Sequence, residues 1–455
     1  MMFHMKPASP ITLALLVGLC LLGLSAEARS QSREAMLEKI KQETLRKYEG
    51  PVVRGVDTKT LHGKVLCGYQ GWFTAEGDGA GRGWSHWARN ARSKPSADNI
   101  RVDLWPDLSE FGPDERFATD IKYADGRAAE VFSSFQKSTV LRHFQWMRDA
   151  GIDGVLVQRF ATQVLSPTGL RRVNVVLDHC REGANRTGRT YAVEYDLSGL
   201  QAGQIDGVIA DWQDLRRRMR LCDDPAYLHH AGRPVVEVWG IGFNDGRQYS
   251  LDDCRKLLRF LRDDACHVVC GVPTGWRTMS RDAVRDPALP DVLRLGHVVS
   301  PWTVGRYKSP SEEVRHADQY WKPDMEWCKR NGLEYMPVVF PGFSWHNQKD
   351  GPLNQIPRLK GAFLWKQFCE VHRLGATMVN VAMFDEVDEG TAIFKCTSDV
   401  PSGDGVKFVT FEGLPSDYYL KLVGLGTQLL LGQAKESDGP KENPGKPKPT
   451  EQTSK

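Results

Sequence analysis

Eight short apolar runs recur along most of the chain, and longer stretches with helical spacing of apolar residues lie between them. The runs are apolar throughout rather than alternating, which is typical of parallel strands covered on both faces. Eight such units indicate an α/β fold, a (β/α)8 TIM barrel with long βα loops, rather than an open doubly wound sheet. The predicted strands are Val65–Tyr69, Gly154–Gln158, Thr190–Tyr195, Pro234–Trp239, His267–Val272, His297–Pro301, Tyr335–Phe340 and Met378–Met383.

The N-terminus differs from the body of the chain. Lys6, the apolar stretch from Ile11 to Leu24 and the small-x-small site Ala26–Ala28 predict a signal peptide over residues 1–28, cleaved near Ala28. The apolar stretch is shorter than the roughly 20 residues that cross a bilayer. We therefore expect a secreted or periplasmic protein with no stable membrane span after cleavage.

The remaining boundaries follow from composition and charge. Residues 29–60 are predicted to form a leading helix and linker, 61–432 the barrel, and the Lys-, Glu- and Pro-rich residues 433–455 a disordered tail. A net charge of only +3 gives no reason to expect a nucleic-acid partner. Most cysteines lie inside apolar patterns and are predicted to be buried thiols, with a disulfide such as Cys222–Cys254 as an alternative.

Four carboxylates, Asp385, Glu386, Asp388 and Glu389, follow the last predicted strand within five positions. Such crowding costs free energy by like-charge repulsion and is tolerated mainly where a cation, a sugar or a proton transfer requires it. On a helical turn, Glu386 and Glu389 would project to one side with Cβ atoms roughly 5–6 Å apart. A close carboxyl pair suits glycosidic cleavage with retention of configuration. A calcium site and a solvated acidic turn are alternative interpretations.

Residues that follow barrel strands face the mouth of the barrel, and here they include aromatic, amide and carboxyl side chains. This combination suits the apolar face and the hydroxyls of a sugar, although some of the tryptophans could instead fill the interface between helices and sheet. The glycine-rich residues 77–83 do not open a helix, so we expect no cofactor, and no metal ion. The predicted substrate-binding residues are Tyr69, Trp72, His86, Trp87, Gln158, Arg159, Glu194, Asp196, Trp302 and Asp385.

Several of these segments together resemble a known family. Gly68–Phe73, Trp84–Trp87, Tyr227–Pro234 and Phe384–Gly390 are similar to segments of exported proteins described as glycoside hydrolase family 71/99-like, and the resemblance spans about Lys64–Leu431. The characterised relatives are the family 99 endo-α-mannosidases, retaining enzymes on (β/α)8 barrels whose late motif is Glu-Trp-His-Glu-Gly. Here the two glutamates of that motif correspond to Glu386 and Glu389.

The resemblance implies roles for both glutamates. Glu386 would act as general base on the 2-hydroxyl of the sugar to give a 1,2-anhydro intermediate, and Glu389 would protonate the leaving oxygen and later activate water. Val387 and Asp388 replace the Trp and His of the family motif, which adds a charge. The resemblance thus implies a retaining hydrolase for an α-linked oligo- or polysaccharide, mannan- or glucan-like. The alternatives are a non-catalytic glycan-binding barrel and a protein whose acidic cluster holds calcium.

Overall fold

The computed structural model describes residues 31–403 and 405–440. The predicted signal peptide over residues 1–28 and residues 441–455 of the predicted tail lie outside the described residues. Most of the predicted strands appear within one or two residues of their expected bounds. The strands are β1 Lys64–Tyr69, β2 Phe117–Lys122, β3 Ala128–Val131, β4 Gly154–Phe160, β5 Thr190–Asp196, β6 His229–His230, β7 Arg233–Trp239, β8 His267–Pro273, β9 Val298–Trp302, β10 Glu334–Tyr335, β11 Val338–Val339 and β12 Met378–Val381.

The main sheet is parallel and has the order β10-β9-β8-β7-β5-β4-β1-β12-β11. Strands β10 and β11 are the two ends of the seventh predicted run, interrupted at Pro337. Met336 N donates to Val299 O at 3.0 Å, and Ala382 N donates to Val339 O at 2.8 Å, so this run pairs with β9 on one side and β12 on the other. The sheet therefore closes, and the predicted (β/α)8 barrel is confirmed.

Helices cover the outer face of the barrel. Serine caps begin several of them: Ser250 accepts a hydrogen bond from Asp253 N at the start of the helix Leu251–Asp263 and forms a capping box with it. The helices are α1 at residues 31–44, α2 Lys137–Ala150, α3 Ala161–Val164, α4 Pro167–Thr187, α5 Ile205–Asp214, α6 Leu251–Asp263, α7 Leu289–Leu293, α8 Pro310–His316, α9 Lys322–Arg330, α10 His346–Lys349, α11 Ala362–Leu374 and α12 Tyr418–Leu430.

The strand register determines which side chains face the barrel axis. Gln158, Glu194 and Glu237 are neighbours in register on β4, β5 and β7. Because side chains alternate along a strand, these three share one face, and Arg159 and Tyr195 between them share the other. Arg159 contacts helix α5, as described below, so the row that contains Gln158 faces the barrel axis.

The long stretch between the barrel strands β1 and β4 contains the antiparallel hairpin β2–β3. Its earlier part reaches the acidic segment, because Asp103 N donates to Val387 O at 2.9 Å and Leu104 N to the same oxygen at 3.1 Å. The insertion therefore fixes the loop that follows β12.

Three further predictions can be compared with the structure. The nine described cysteines are all free thiols, so the alternative of a Cys222–Cys254 disulfide is wrong. Residues 433–440, part of the predicted tail, are described: they include a short 3-10 helix, Glu436–Asp438, and Trp365 Nε1 donates to Glu436 O at 2.9 Å. Within the described ranges, no helix has the length and apolar character needed to cross a membrane.

Candidate active site

The acidic segment leaves β12 through a cis peptide between Ala382 and Met383 and forms a turn over residues 387–390. Thr391 N and Ala392 N both donate to Glu386 O, at 3.1 and 3.0 Å. Gly390 ends the turn at a φ of 65°, a backbone conformation that favours glycine. The loop is therefore held by its own backbone at the carboxyl end of the barrel.

Asp385 joins this loop to the first strand. Its two carboxylate oxygens accept hydrogen bonds from Gln70 N and Gly71 N, each at 2.8 Å. Burial raises the pKa of Asp385 to about 7, against the opposing effect of these two amides. Since both oxygens bind backbone, the predicted sugar contact of Asp385 is corrected: the side chain positions the loop.

Glu386 is 4% exposed and lies between two side chains. Gln70 Nε2 donates to Glu386 Oε1 at 3.1 Å, and Thr391 Oγ1 donates to Oε2 at 2.8 Å. Burial first, and then the charges of Glu389 and Asp388, raise the pKa of Glu386 well above its usual range.

Glu389 lies beside it and has a raised pKa of about 7, caused by burial and by the charge of Asp388, while a hydrogen bond from the Trp345 side chain acts in the opposite direction. The two glutamates interact closely enough that ionisation of one disfavours ionisation of the other. A pair in which ionisation of one carboxyl keeps the other protonated is the arrangement that acid–base chemistry requires.

Asp388, between the glutamates, contacts two basic side chains. His86 Nδ1 lies 3.0 Å from Asp388 Oδ2, and Arg101 Nε lies 3.4 Å from the same oxygen. The His86 ring stacks on Trp72 with centroids 3.8 Å apart and planes 9° apart. Trp72 also stacks with Phe160, with ring centroids 5.4 Å apart. These rings form one wall of the mouth.

Carboxyl groups form a second wall on β4, β5 and β7. Gln158 Nε2 donates to Glu194 Oε1 at 3.1 Å and approaches Asp196 Oδ2 at 3.4 Å. Burial and the neighbouring carboxyls raise the pKa of Glu194 well above its usual range, and burial raises that of Glu237 to about 8. Trp302 and Trp239 pack edge to face at 5.4 Å beside them.

Several buried polar atoms on these walls have no hydrogen-bond partner among the described residues. Such groups in an interior cost free energy unless water or a ligand satisfies them. They are Gln70 Oε1, Trp72 Nε1, Gln158 Oε1, Glu237 Oε2, Trp239 Nε1, Ser300 Oγ, Asn380 Oδ1 and Asp388 Oδ1. These atoms are available to bind water or a polar ligand.

The structure does not bring three of the predicted sugar contacts to this site. Tyr69 is fully buried with its hydroxyl 2.9 Å from His143 Nδ1. Trp87 is fully buried and donates to Phe132 O at 2.9 Å. Arg159 forms a buried ion pair with Asp211 on α5. Tyr69 and Arg159 lie on the helix-facing side of their strands, so these interpretations are corrected.

Sequence reasoning left out four residues of the mouth, although a signal for each was present. Side chains alternate between the two faces along β1 and β7. Gln70 and Glu237 each lie an even number of positions from residues that face the barrel axis, so strict use of this alternation predicts that both face the axis as well. Trp239 ends β7, and Trp345, 38% exposed, follows the seventh run. An exposed tryptophan at a barrel mouth is itself an indication of a ligand contact.

The acidic segment does not gather a metal-ligand set. Over residues 31–403 and 405–440, the one group of three candidate ligands within 4.8 Å of one another is His62, His230 and Glu334. These residues lie at the amino ends of the strands, at the opposite end of the barrel. This arrangement does not support the calcium alternative.

Fold and site together define a (β/α)8 barrel whose mouth carries a buried carboxyl pair, further carboxyls and aromatic side chains. The sequence matches no family model and no curated protein. The structure is similar to that of the glycoside hydrolase family 99 endo-α-mannosidase from Bacteroides thetaiotaomicron, with 15% identity, a TM-score of 0.60, and coverage of 82% of this chain and 99% of that one. The same enzyme in complex with bis-tris propane gives a TM-score of 0.58 at 15% identity, with coverage of 82% of this chain and 98% of that one.

A glycoside hydrolase-like protein is also similar, with 14% identity, a TM-score of 0.50, and coverage of 85% of this chain and 99% of that one. Similarity at this level of identity establishes the fold, and function has to be argued from the site.

Proposed function

We propose that the protein is an exported glycoside hydrolase that cleaves an α-linked glycan with retention of configuration. The observation that carries the proposal is the pair of glutamates at the end of the last strand, which disfavour each other's ionisation. Their positions match the two glutamates of the family 99 motif, and the fold is similar to an endo-α-mannosidase of that family. The surrounding unpartnered polar atoms and exposed aromatic edges suit a sugar chain.

In this mechanism Glu386 removes the proton of the sugar's 2-hydroxyl while that oxygen attacks the anomeric carbon from the side opposite the leaving oxygen and the glycosidic bond breaks. The step requires a 2-hydroxyl trans to the leaving oxygen, as in an α-mannoside; an α-glucoside has it cis and does not fit this route. Glu389 gives its proton to the leaving oxygen, so the first step yields a 1,2-anhydro sugar and a shortened glycan. Water, deprotonated by Glu389, then opens the anhydro ring at the anomeric carbon, and Glu386 returns its proton to the 2-oxygen. Two inversions at one carbon give net retention.

The first step requires an ionised Glu386 and a protonated Glu389. Burial and the charge of Glu389 disfavour the ionised form of Glu386. Gln70 and Thr391, which donate to the two oxygens of Glu386, stabilise that ionised form.

The test is turnover of α-mannan and α-glucan oligosaccharides by the wild type and by Glu386→Gln and Glu389→Gln variants. Removal of a general acid or base costs about 10²–10⁴-fold in rate, so both variants should fall by at least about 100-fold. Glu326→Gln, an exposed position on α9, is the matched control and should keep full turnover. Full turnover by both folded site variants would contradict the proposal, and glycan binding without product would favour a binding barrel.

A further inference from the structure

His86 has a backbone conformation and a set of contacts that the proposed mechanism does not use. Its φ of 66° lies in the left-handed region, which is uncommon outside glycine although histidine tolerates it better than most residues. Non-glycine residues with such conformations cluster at ligand sites when the surrounding structure holds them there. The surroundings do hold His86, through the Trp72 ring on its face and Asp388 at its Nδ1 edge.

The charges around His86 determine which of its nitrogens carries the proton. Burial and the positive charges of Arg101, Arg172 and Arg82 lower the pKa of His86 well below its usual range, so the ring is neutral. Burial raises the pKa of Asp388 to about 7, while Arg101, 3.4 Å from the same Asp388 oxygen that faces His86, acts in the opposite direction. Above that pH the ionised carboxylate accepts hydrogen bonds only, so the single ring proton of His86 is then on Nδ1 and Nε2 keeps its lone pair.

Nε2 is on the side of the ring away from Asp388. The His86 side chain is 18% exposed, and no hydrogen bond to Nε2 is found in the part of the chain that the structure describes. The ring belongs to the stacked wall with Trp72 and Phe160, at the same end of the barrel as Glu386 and Glu389. A fixed acceptor at this place complements a group that donates a hydrogen bond.

We propose that His86 is a specificity-determining residue whose Nε2 accepts a hydrogen bond from a glycan hydroxyl, and that Asp388 is the positioning residue that holds it in the Nδ1–H form. This inference rests on the proposed function, since the ligand is the glycan of the same site. Asp388 stands where the family 99 motif has His. A sugar without a hydroxyl at that place leaves the acceptor unpaired and is bound less well.

Two substitutions separate the roles. The amide nitrogen of asparagine occupies the place of histidine Nδ1, and asparagine tolerates a positive φ, so His86→Asn keeps the contact with Asp388 and removes Nε2. Asp388→Asn keeps the shape of the carboxyl but can donate to Nδ1, so it should move the ring proton to Nε2 and reverse the polarity of the group. Glu326→Gln on α9 remains the control.

The first readout needs no substrate. Long-range proton–nitrogen NMR of ¹⁵N-histidine-labelled protein, recorded at about pH 8.5 where Asp388 is ionised, should show an unprotonated Nε2 in the wild type, with the His86 signal identified by its absence in His86→Asn. The same ring should be protonated at Nε2 in Asp388→Asn. A wild-type ring protonated at Nε2 would overturn the proposal.

The second readout is kcat and KM on the α-mannan or α-glucan oligosaccharide that the wild type cleaves. Loss of one substrate hydrogen bond predicts a fall of about tenfold in kcat/KM for His86→Asn, mainly through KM, with unchanged thermal stability. Unchanged kcat/KM in His86→Asn would overturn the glycan contact even though the enzyme is active. If the wild type cleaves none of these glycans, the proposed function fails and the glycan contact fails with it, whereas the NMR result still decides whether Asp388 sets the tautomer.

Discussion

The two ends of the barrel shift the pKa values of their glutamates in opposite directions. At the mouth, Glu386 and Glu389 have raised pKa values because burial and neighbouring carboxylates outweigh their hydrogen bonds. At the other end, Glu334 binds His62 and His230 Nε2 at 2.5 and 3.0 Å, and its pKa is lowered to about 2. We call this second cluster, with His267 and His297, the barrel floor. The comparison suggests that the floor is arranged for stability and the mouth for chemistry.

The proton positions at the floor are well defined. Leu61 N donates to His230 Nδ1 at 2.9 Å, so the proton of neutral His230 is on Nε2 and is donated to Glu334. A metal ion at that nitrogen would require it to lose this proton while Nδ1 still accepts the Leu61 amide. The geometry therefore describes a hydrogen-bonded cluster that satisfies its carboxylate, in contrast to the unpartnered atoms of the mouth.

The largest expected effect is on stability at the mouth. The pKa of Glu389 is raised from 4.5 to about 7 in the folded protein. The contribution of its protonated carboxyl to folding stability is therefore fully present below about pH 4.5 and is lost as pH rises through about 7. Glu389→Gln should therefore exceed the wild type in unfolding free energy at pH 9 by on the order of 1–3 kcal/mol, and differ little at pH 5. Urea denaturation at both pH values measures this, and a variant less stable at pH 9 would contradict it.

The matching change at the floor should act in the opposite direction. Glu334→Gln leaves one of the His62 and His230 N–H groups facing an amide N–H, and we expect a loss of about 1–2 kcal/mol in unfolding free energy at pH 7. The same denaturation series checks this, with Glu326→Gln as the exposed control. Equal stability of the two variants would remove the distinction between floor and mouth.

Alternation along the strands accounts for much of what the sequence could predict. The apolar runs placed Gln158, Glu194 and Asp196 at strand ends. Side chains alternate between the two faces of a strand, so Arg159, one residue after Gln158, lies on the opposite face and contacts α5. Two other features could not be predicted from any short segment of the sequence. The floor is assembled from five residues spread between positions 62 and 334, and the contact of His86 with Asp388 joins residues 302 positions apart.

The acid side of the stability profile should depend on the floor. Burial lowers the pKa of His267 to about 3 and that of His297 to about 4, so below pH 6.5 the unfolded chain binds more protons and stability falls as pH falls. Both ring nitrogens of His267 are buried and unpartnered within the described ranges, so phenylalanine should replace it well. His267→Phe should move the acid-unfolding midpoint, followed by circular dichroism, to lower pH by about half a unit. An unchanged midpoint would show that other groups control acid unfolding.

The remaining prediction concerns the pH dependence of turnover. The charge of Asp388 helps raise the pKa of Glu389, which is the acid in the first step of the proposed mechanism. Asp388→Asn should therefore lower that pKa and move the alkaline limb of the kcat/KM profile to lower pH by about 0.5–1 unit, apart from any loss in rate. A limb that stays in place or moves upward would show that Asp388 does not influence the acid.

The stereochemistry of the product shows most directly whether Glu386 and Glu389 cleave an α-glycosidic bond with retention. Proton NMR of the purified protein with an α-mannan or α-glucan oligosaccharide that it cleaves would follow the anomeric signals from the first minutes, before mutarotation. The new reducing end should appear first in the α configuration and only later equilibrate. First appearance of the β anomer would mean inversion and would contradict the proposed mechanism.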